Sequence, residues 1–325
     1  MKEDIKLISF VIPCYRSEHT VTSVVEEIIK TVASRPQFDY EIIAVNDCSP
    51  DRVVDVLVDL SKKNERVKVI DCSINRGKHA AVLAGYAFVQ GEYVVNIDDD
   101  GQCPVDRLWD LIAPLEQGYD MSMAKYETPK ESFMKRIGSI INNKMSQSML
   151  DKPNDFKFSN FLARKKFVCD AMCQYKGPYP YLEGLSLIVT RNVCMVPMEE
   201  RHRLAGTSGY TFKKSLALWM NGYTAFSLKP LRISFGVGCV FGLIGLLHLI
   251  ISIVLGAACP GFSAWDKILL SIILLAIAFT MILLGMIGEY VGRIYLSMNN
   301  QNQYVIRATY NIGAKRCHKS DDVMQ

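Results

Sequence analysis

The chain is 325 residues long, 50% hydrophobic and 22% charged, with a formal net charge of +4. That length holds one large domain or two modest ones, and the mean hydropathy of +0.12 is high for a soluble enzyme. The mild basic excess comes with no nucleic-acid motif, so no nucleic-acid partner is expected, and the balance fits an anionic membrane surface or phosphate-bearing substrates better. Ten cysteines are scattered without a CxxC pair, which fits a reducing cytoplasm rather than a zinc site or a disulfide framework.

Residues 7–13 (LISFVIP) read as a buried strand ended by proline. Residues 20–34 follow, with Val21, Val24, Val25, Ile28, Ile29 and Val32 at helical spacing. A second strand over 40–46 stops at DCSPD (47–51), where Asx and proline chemistry favours a turn and then a helix cap. Residues 53–60 read as helix, 67–71 as strand, 78–89 as helix and 93–98 as strand. This alternation predicts an α/β layer with a largely parallel sheet. In such sheets ligands gather at the carboxyl ends of strands, and the polar turns at 13–18, 47–51, 75–78 and 98–102 all fall there. No GxGxxG follows the first strand and no GxxxxGK[ST] occurs anywhere, which argues against a dinucleotide dehydrogenase and a P-loop NTPase.

The densest chemistry is in YVVNIDDDGQCP (93–104), where a run of β-formers ends in three consecutive carboxylates, Asp98, Asp99 and Asp100. Adjacent acids repel one another, and a hard divalent cation such as Mg²⁺ or Mn²⁺ relieves that repulsion. The same residues also suit an acidic helix N-terminus, with Pro104 in its first turn. His79, beside Lys78 at a helix start, reads as a capping or solvated residue rather than a base.

Residues 118–125 look like a fifth strand. Phe133, Ile137, Ile140, Ile141, Met145 and Met149 then share one helix face, and that helix either packs on the sheet or lies at a membrane interface with its basic side toward phosphates. Beyond it, 158–163 reads as strand, 165–174 as helix and 185–190 as strand. A basic, glycine-interrupted loop over 201–210 precedes a helix over 212–220.

No Asp, Glu, Lys or Arg occurs between Arg232 and Asp266, nor between Lys267 and Glu289. The runs over 235–258 and 268–288 each exceed the roughly 18 apolar residues of a membrane span, and buried core helices rarely run so long without charge. The short link predicts a hairpin. Lys229 and Arg232 before it, and Arg293, Arg307, Lys315 and Arg316 after it, place the N-terminal bulk and both termini in the cytoplasm. The expected plan is a cytoplasmic domain over 1–230, a multi-pass hairpin over 231–292 in the inner (cytoplasmic) membrane, and a polar tail over 293–325. KEDIK (2–6) leads straight into a β-like run, so no signal peptide is expected. Gly236, Gly238, Gly242 and Gly245 let helices approach closely, within one chain or between copies in a homo-oligomer.

SFVIPCY (9–15), VNDCSPD (45–51), NRGK (75–78) and NIDDDGQ (96–102) resemble the serial motifs of family 2 glycosyltransferases. RLAGTS (203–208), FSLKPLR (226–232) and GEYVGRIY (288–295) after a two-span hairpin are similar to bacterial polyprenyl-phosphate glycosyltransferases, relatives of dolichol-phosphate mannose synthase. The resemblance runs over about residues 7–306. It implies a GT-A type, Rossmann-like mixed sheet, mainly parallel, carrying interfacial amphipathic helices and the membrane hairpin. It also implies inverting transfer from a nucleotide-diphosphate sugar, UDP-linked, to polyprenyl (undecaprenyl) phosphate. Donor binding falls to Pro13, Tyr15, Ser17, Asp47, Lys78, Asp98, Asp99, Asp100 and Arg203. Catalysis falls to Asp98, Asp99, Asp100 and Gln102, with Mg²⁺ or Mn²⁺ on Asp98, Asp100 and Gln102. The acceptor phosphate falls to Lys125, Lys135, Arg136, Ser139 and Arg203. Ser17 stands where many members have Glu, and Gly101 where Leu is common. No QxxRW occurs, which disfavours a processive synthase.

A lipid monophosphate is already ionised at neutral pH, so this acceptor needs no dedicated base, although Asp98 or Asp99 could serve as one. The alternative is a membrane-tethered transferase acting on a glycan or lipid hydroxyl, which does need a carboxylate base. A third reading is a membrane scaffold that binds nucleotide sugar without turnover.

Overall fold

The computed structural model describes residues 5–126, 159–177, 180–201, 243, 265–298 and 302–312, with the side chains of 265–298 described only in part. The chain divides into two compact units, Met1–Thr211 with Asn302–Gln325, and Phe212–Gln301.

In the first unit, β1 (Lys6–Cys14), β2 (Phe38–Asn46) and β3 (Val67–Cys72) alternate with α1 (Val21–Ala33) and α2 (Val53–Lys63). The next elements are α3 (Lys78–Tyr86), β4 (Tyr93–Asn96), a 3₁₀ turn (Val105–Arg107), α4 (Leu108–Glu116) and β5 (Met121–Tyr126). β6 (Leu162–Lys165), α5 (Lys166–Cys173), α6 (Leu182–Val189), β7 (Val193–Met198) and β8 (Ile306–Tyr310) complete the unit. The eight described strands form one sheet in the order β7-β5-β6-β4-β1-β2-β3-β8. Pairings β1–β2, β1–β4, β2–β3 and β5–β7 are parallel, while β3–β8, β4–β6 and β5–β6 are antiparallel.

β1 is apolar on both faces because both are covered. Ile8, Phe10 and Ile12 join the core formed with Val24, Val25 and Ile28 of α1 and Leu108 and Leu111 of α4. On the other face α3 presents Ala80, Ala81, Ala84 and Gly85, all buried, and the small side chains let it sit against the strands. A Cβ on Gly85 would lie 2.5 Å from Val11 Cγ1, so no larger residue fits that approach without movement.

β1 pairs with β2 on one side and β4 on the other, so the strand order reverses there. In open α/β sheets this switch point leaves a crevice outside the carboxyl ends of the two strands.

Three departures from the sequence reading have local causes. Of residues 185–190, expected as strand, 185–189 belong to α6 and Thr190 follows it in extended conformation. Leu182, Leu185 and Ser186 are buried at helical spacing, and Ser186 Oγ donates to Leu182 O at 2.6 Å. β7 occupies a stretch assigned to no element. Ile306–Tyr310, read as part of a polar tail, is the edge strand β8; its burial is slight, so its sequence carries little apolar signal.

In the second unit, α7 (Trp265–Met298) is one continuous 34-residue helix that contains the second uncharged run. Among the described residues no helix is long and apolar enough to cross a membrane. The first span, the helix expected over 133–149 and the loop over 203–210 lie outside the described residues.

Candidate active site

The loops leaving β1, β2, β3 and β4 meet at the switch point. The β1 loop turns sharply at Arg16, which has a φ of 58°, and the β2 loop at Cys48, with a φ of 50°. Side chains hold the two loops together: Arg16 N donates to Ser49 Oγ at 2.8 Å, and Glu18 N to Asp51 Oδ2 at 3.1 Å. Tyr15 N donates to Asp99 Oδ2 at 3.0 Å, bridging β1 to the acidic end of β4. The Tyr15 ring stays 45% exposed, with the Arg16 guanidinium 5.5 Å from its centroid.

Asp47 is buried and accepts Arg76 N–H at 2.9 Å on one oxygen and Gly77 N–H at 2.8 Å on the other. It therefore shapes the NRGK turn, where Gly77 takes a φ of 87° that other residues rarely adopt. Burial raises the Asp47 carboxyl above its ordinary range, and these two N–H groups oppose the shift. The turn delivers Lys78, whose Nζ lies 2.5 Å from Asp98 Oδ1.

The three acids thus face different partners. Asp98 pairs with Lys78. Asp99 packs into the β1 loop, where burial above all, helped by the charges of Asp98 and Asp100, lifts it to about 6 against the Tyr15 N–H. Asp100 Oδ1 accepts Gln102 N–H at 3.1 Å, closing the turn at Gly101. Gln102 is held by Arg201, whose N–H donates to Gln102 O at 3.1 Å and whose carbonyl accepts Gln102 Nε2 at 3.4 Å. Arg201 in turn pairs with Glu27 at 2.8 Å and with Asp106.

Pro13, Tyr15, Ser17, Asp47, Lys78, Asp98, Asp99, Asp100 and Gln102 are accordingly gathered around one crevice. Ser17 is buried at 5% exposure, behind the loop surface. Lys125 lies next to the last residue of β5, whose carboxyl end shares the same sheet edge. Lys135, Arg136, Ser139 and Arg203 lie outside the described residues.

The donor chemistry at Asp98 and Asp100 is all oxygen and fits Mg²⁺ or Mn²⁺. Among the described residues no group of three or more His, Cys, Asp or Glu could hold a metal. A cation of this kind characteristically uses one or two carboxylates together with a substrate's phosphates rather than a full protein cage. Asp98 and Asp100 meet that requirement.

The sequence reading missed Arg164. It sits in β6 at 2% exposure, bonded to Asn96 Oδ1 at 3.0 Å and Ser186 Oγ at 2.9 Å, and contacts the Tyr86 hydroxyl. An arginine inside the apolar run FLAR (161–164) was the available signal, since a strand of a covered sheet seldom buries a guanidinium without a purpose.

Taken with its switch-point crevice, the mixed sheet is of the GT-A-like α/β kind. It is similar to glucosyl-3-phosphoglycerate synthase from Mycobacterium tuberculosis in complex with Mn²⁺, UDP and glucosyl-3-phosphoglycerate. The TM-score is 0.51 at 18% identity, covering 67% of this chain and 78% of that one. Residues 9–172 match the family described as Glycosyl transferase family 2. The chain is 31% identical over 313 residues to the uncharacterized glycosyltransferase YkcC of Bacillus subtilis (strain 168), covering 96% of each. It is 28% identical over 327 residues to the undecaprenyl-phosphate 4-deoxy-4-formamido-L-arabinose transferase of Proteus mirabilis (strain HI4320), covering 98% of each. The chain belongs to glycosyl transferase family 2.

Proposed function

We propose that this glycosyltransferase moves a sugar, with inversion, from a UDP-linked donor to the phosphate of a polyprenyl lipid of the undecaprenyl class. The observation that carries the reading is the carboxylate end of β4 at the switch point, joined to the β1 loop through Tyr15 N and to the NRGK turn through Lys78. Full-length likeness to undecaprenyl-phosphate transferases supports the acceptor, and the UDP complex of the structural relative is consistent with the donor.

In this reading the exposed Tyr15 ring stacks on the base, and Pro13 and the buried Ser17 shape the loop around it. Asp47 fixes the backbone of the NRGK turn by accepting the Arg76 and Gly77 N–H groups, and the turn carries Lys78 toward a diphosphate. Asp98 and Asp100, with Gln102 beside them, would hold Mg²⁺ or Mn²⁺, which when bound supplies Lewis-acid stabilisation at the leaving diphosphate. Lys78 screens Asp98, so the crevice admits an anionic donor despite three adjacent acids. Lys125, Lys135, Arg136, Ser139 and Arg203 take the acceptor phosphate, and their task is to orient two anions that repel each other. The attacking phosphate oxygen is already ionised, so no proton has to be removed. The hairpin over 231–292 anchors the enzyme in the cytoplasmic membrane, where the acceptor resides.

The test supplies purified protein in detergent with undecaprenyl phosphate and labelled UDP- and GDP-sugars, in Mn²⁺, Mg²⁺ or EDTA. Labelled lipid formed from a UDP-sugar in the presence of metal is the expected result. Absence of a lipid product from every donor would sink the proposal. A second reading, transfer to a hydroxyl, draws on the raised Asp99 carboxyl, which is poised near neutrality as a base. It predicts transfer to a glycan or lipid alcohol that Asp99→Asn abolishes while donor binding survives.

A further inference from the structure

Arg201 stands three residues past the end of β7, against the acidic turn at the carboxyl end of β4. Its backbone and its side chain serve different partners. The backbone meets Gln102 twice: the Arg201 N–H donates to Gln102 O at 3.1 Å, and Gln102 Nε2 donates to Arg201 O at 3.4 Å. The guanidinium pairs with Glu27 of α1 at 2.8 Å and with Asp106 of the 3₁₀ turn. Gln102, Glu27 and Asp106 lie 99, 174 and 95 positions from Arg201, so one residue ties three separate elements together.

The chemistry of these contacts is that of a bracket. A guanidinium that already meets two carboxylates has its charge more than offset, which suits it poorly as a ligand for phosphate. The Gln102 amide has a donor end and an acceptor end. Facing the Arg201 carbonyl it presents Nε2, because Oε1 in that place would set two acceptors against each other. The carbonyl therefore decides which way the amide points, and Oε1, the end able to ligate a hard cation, is turned away from Arg201. The Arg201 and Glu27 side chains are 38% and 30% exposed, a level at which an ion pair contributes little to global stability. What the pair fixes is local geometry.

We propose that Arg201 is a positioning residue for the divalent cation. Its carbonyl orients the Gln102 amide, and its pairs with Glu27 and Asp106 hold that carbonyl in place. The inference rests on the reading above, in which Asp98, Asp100 and Gln102 hold Mg²⁺ or Mn²⁺ beside a donor diphosphate. Arg201 acts only through Gln102.

The test measures Mn²⁺ binding to the full chain in detergent with UDP, read from the electron paramagnetic resonance signal of free Mn²⁺ against a blank of UDP alone. UDP affinity without metal and thermal unfolding are followed alongside. In Arg201→Ala the dissociation constant for Mn²⁺ is expected to rise about tenfold, as for other groups that support a metal ligand. UDP affinity without metal and Tm should hardly change, and Arg201→Lys, which keeps a cation between Glu27 and Asp106, should recover part of the loss. Arg66→Ala, which removes another surface pair, with Asp39 just before β3, should leave Mn²⁺ binding unaltered. The decisive comparison is with Gln102→Ala: adding Arg201→Ala to it should cause no further loss, because the two positions act as a unit. Should Arg201→Ala fail to fold, Glu27→Gln takes its place, with a smaller loss of the same kind. Unchanged Mn²⁺ affinity in the folded variant, an equal loss in Arg66→Ala, or losses that add across Arg201 and Gln102 would overturn the inference while leaving the metal reading intact. Failure of the unaltered protein to bind Mn²⁺ with UDP would overturn both.

Discussion

Glu41 and the acidic triplet Asp98–Asp100, at opposite ends of the sheet, sit in contrasting surroundings. At the amino end, Glu41 of β2 is 3% exposed and fully engaged. It receives Gln90 N–H at 2.6 Å, Gly91 N–H at 3.3 Å, Lys68 Nζ at 2.5 Å and the hydroxyl of Ser9, its register partner on β1. At the carboxyl end, Asp98, Asp99 and Asp100 are only partly buried and adjacent in sequence, and Lys78 pairs with Asp98. A carboxylate surrounded by donors is complete and serves the fold. Three acids crowded on one turn concentrate negative charge at the sheet edge, which in the proposed reading a divalent cation offsets.

This contrast predicts different losses at the two ends. Asp100→Asn should lower sugar transfer on the order of 10³-fold with little change in Tm, measured as labelled lipid per folded enzyme. Chelation should abolish transfer by the unaltered protein, with recovery on adding Mn²⁺ or Mg²⁺; full activity in EDTA would contradict the assignment of Asp98 and Asp100. Glu41→Gln should do the reverse, costing about 3 kcal/mol of stability because it breaks a buried pair, while turnover per folded molecule holds. Arg307→Ala should barely register, at about 0.5 kcal/mol, since Arg307 is 58% exposed where it meets Asp71. Equal stability losses at Asp100 and Glu41 would erase the distinction between the two ends.

Much of this arrangement was legible in the residues. Mainly apolar runs announced β1 and β2, and 3.6-residue spacing announced α1, because each is buried on the faces its pattern describes. The polar turns at the carboxyl ends located the crevice. The partners within it were not legible: Tyr15 N on Asp99 and Lys78 on Asp98 span 84 and 20 positions, and no local pattern specifies them. α6 was misread because its Leu, Ile and Val suit a strand, until burial at helical spacing overrides that preference. Arg164 left a signal in its apolar surroundings, but its partners Tyr86, Asn96 and Ser186 lie 78, 68 and 22 positions away and no local pattern specifies them.

β8 carries a consequence for how the protein is made. It pairs with β3, Asn311 Nδ2 donates to Ser61 O at 2.6 Å and Val67 O at 3.0 Å, and Ser73 N donates to Val305 O at 2.8 Å. The sheet's last strand is therefore synthesised only after all of Phe212–Gln301. Until then the rim at β3 is an open template for pairing with another chain. A shortened chain ending before residue 302 would keep the crevice residues described above yet expose that rim. It should aggregate unless the strand is supplied, in cis through a linker or in trans as a peptide.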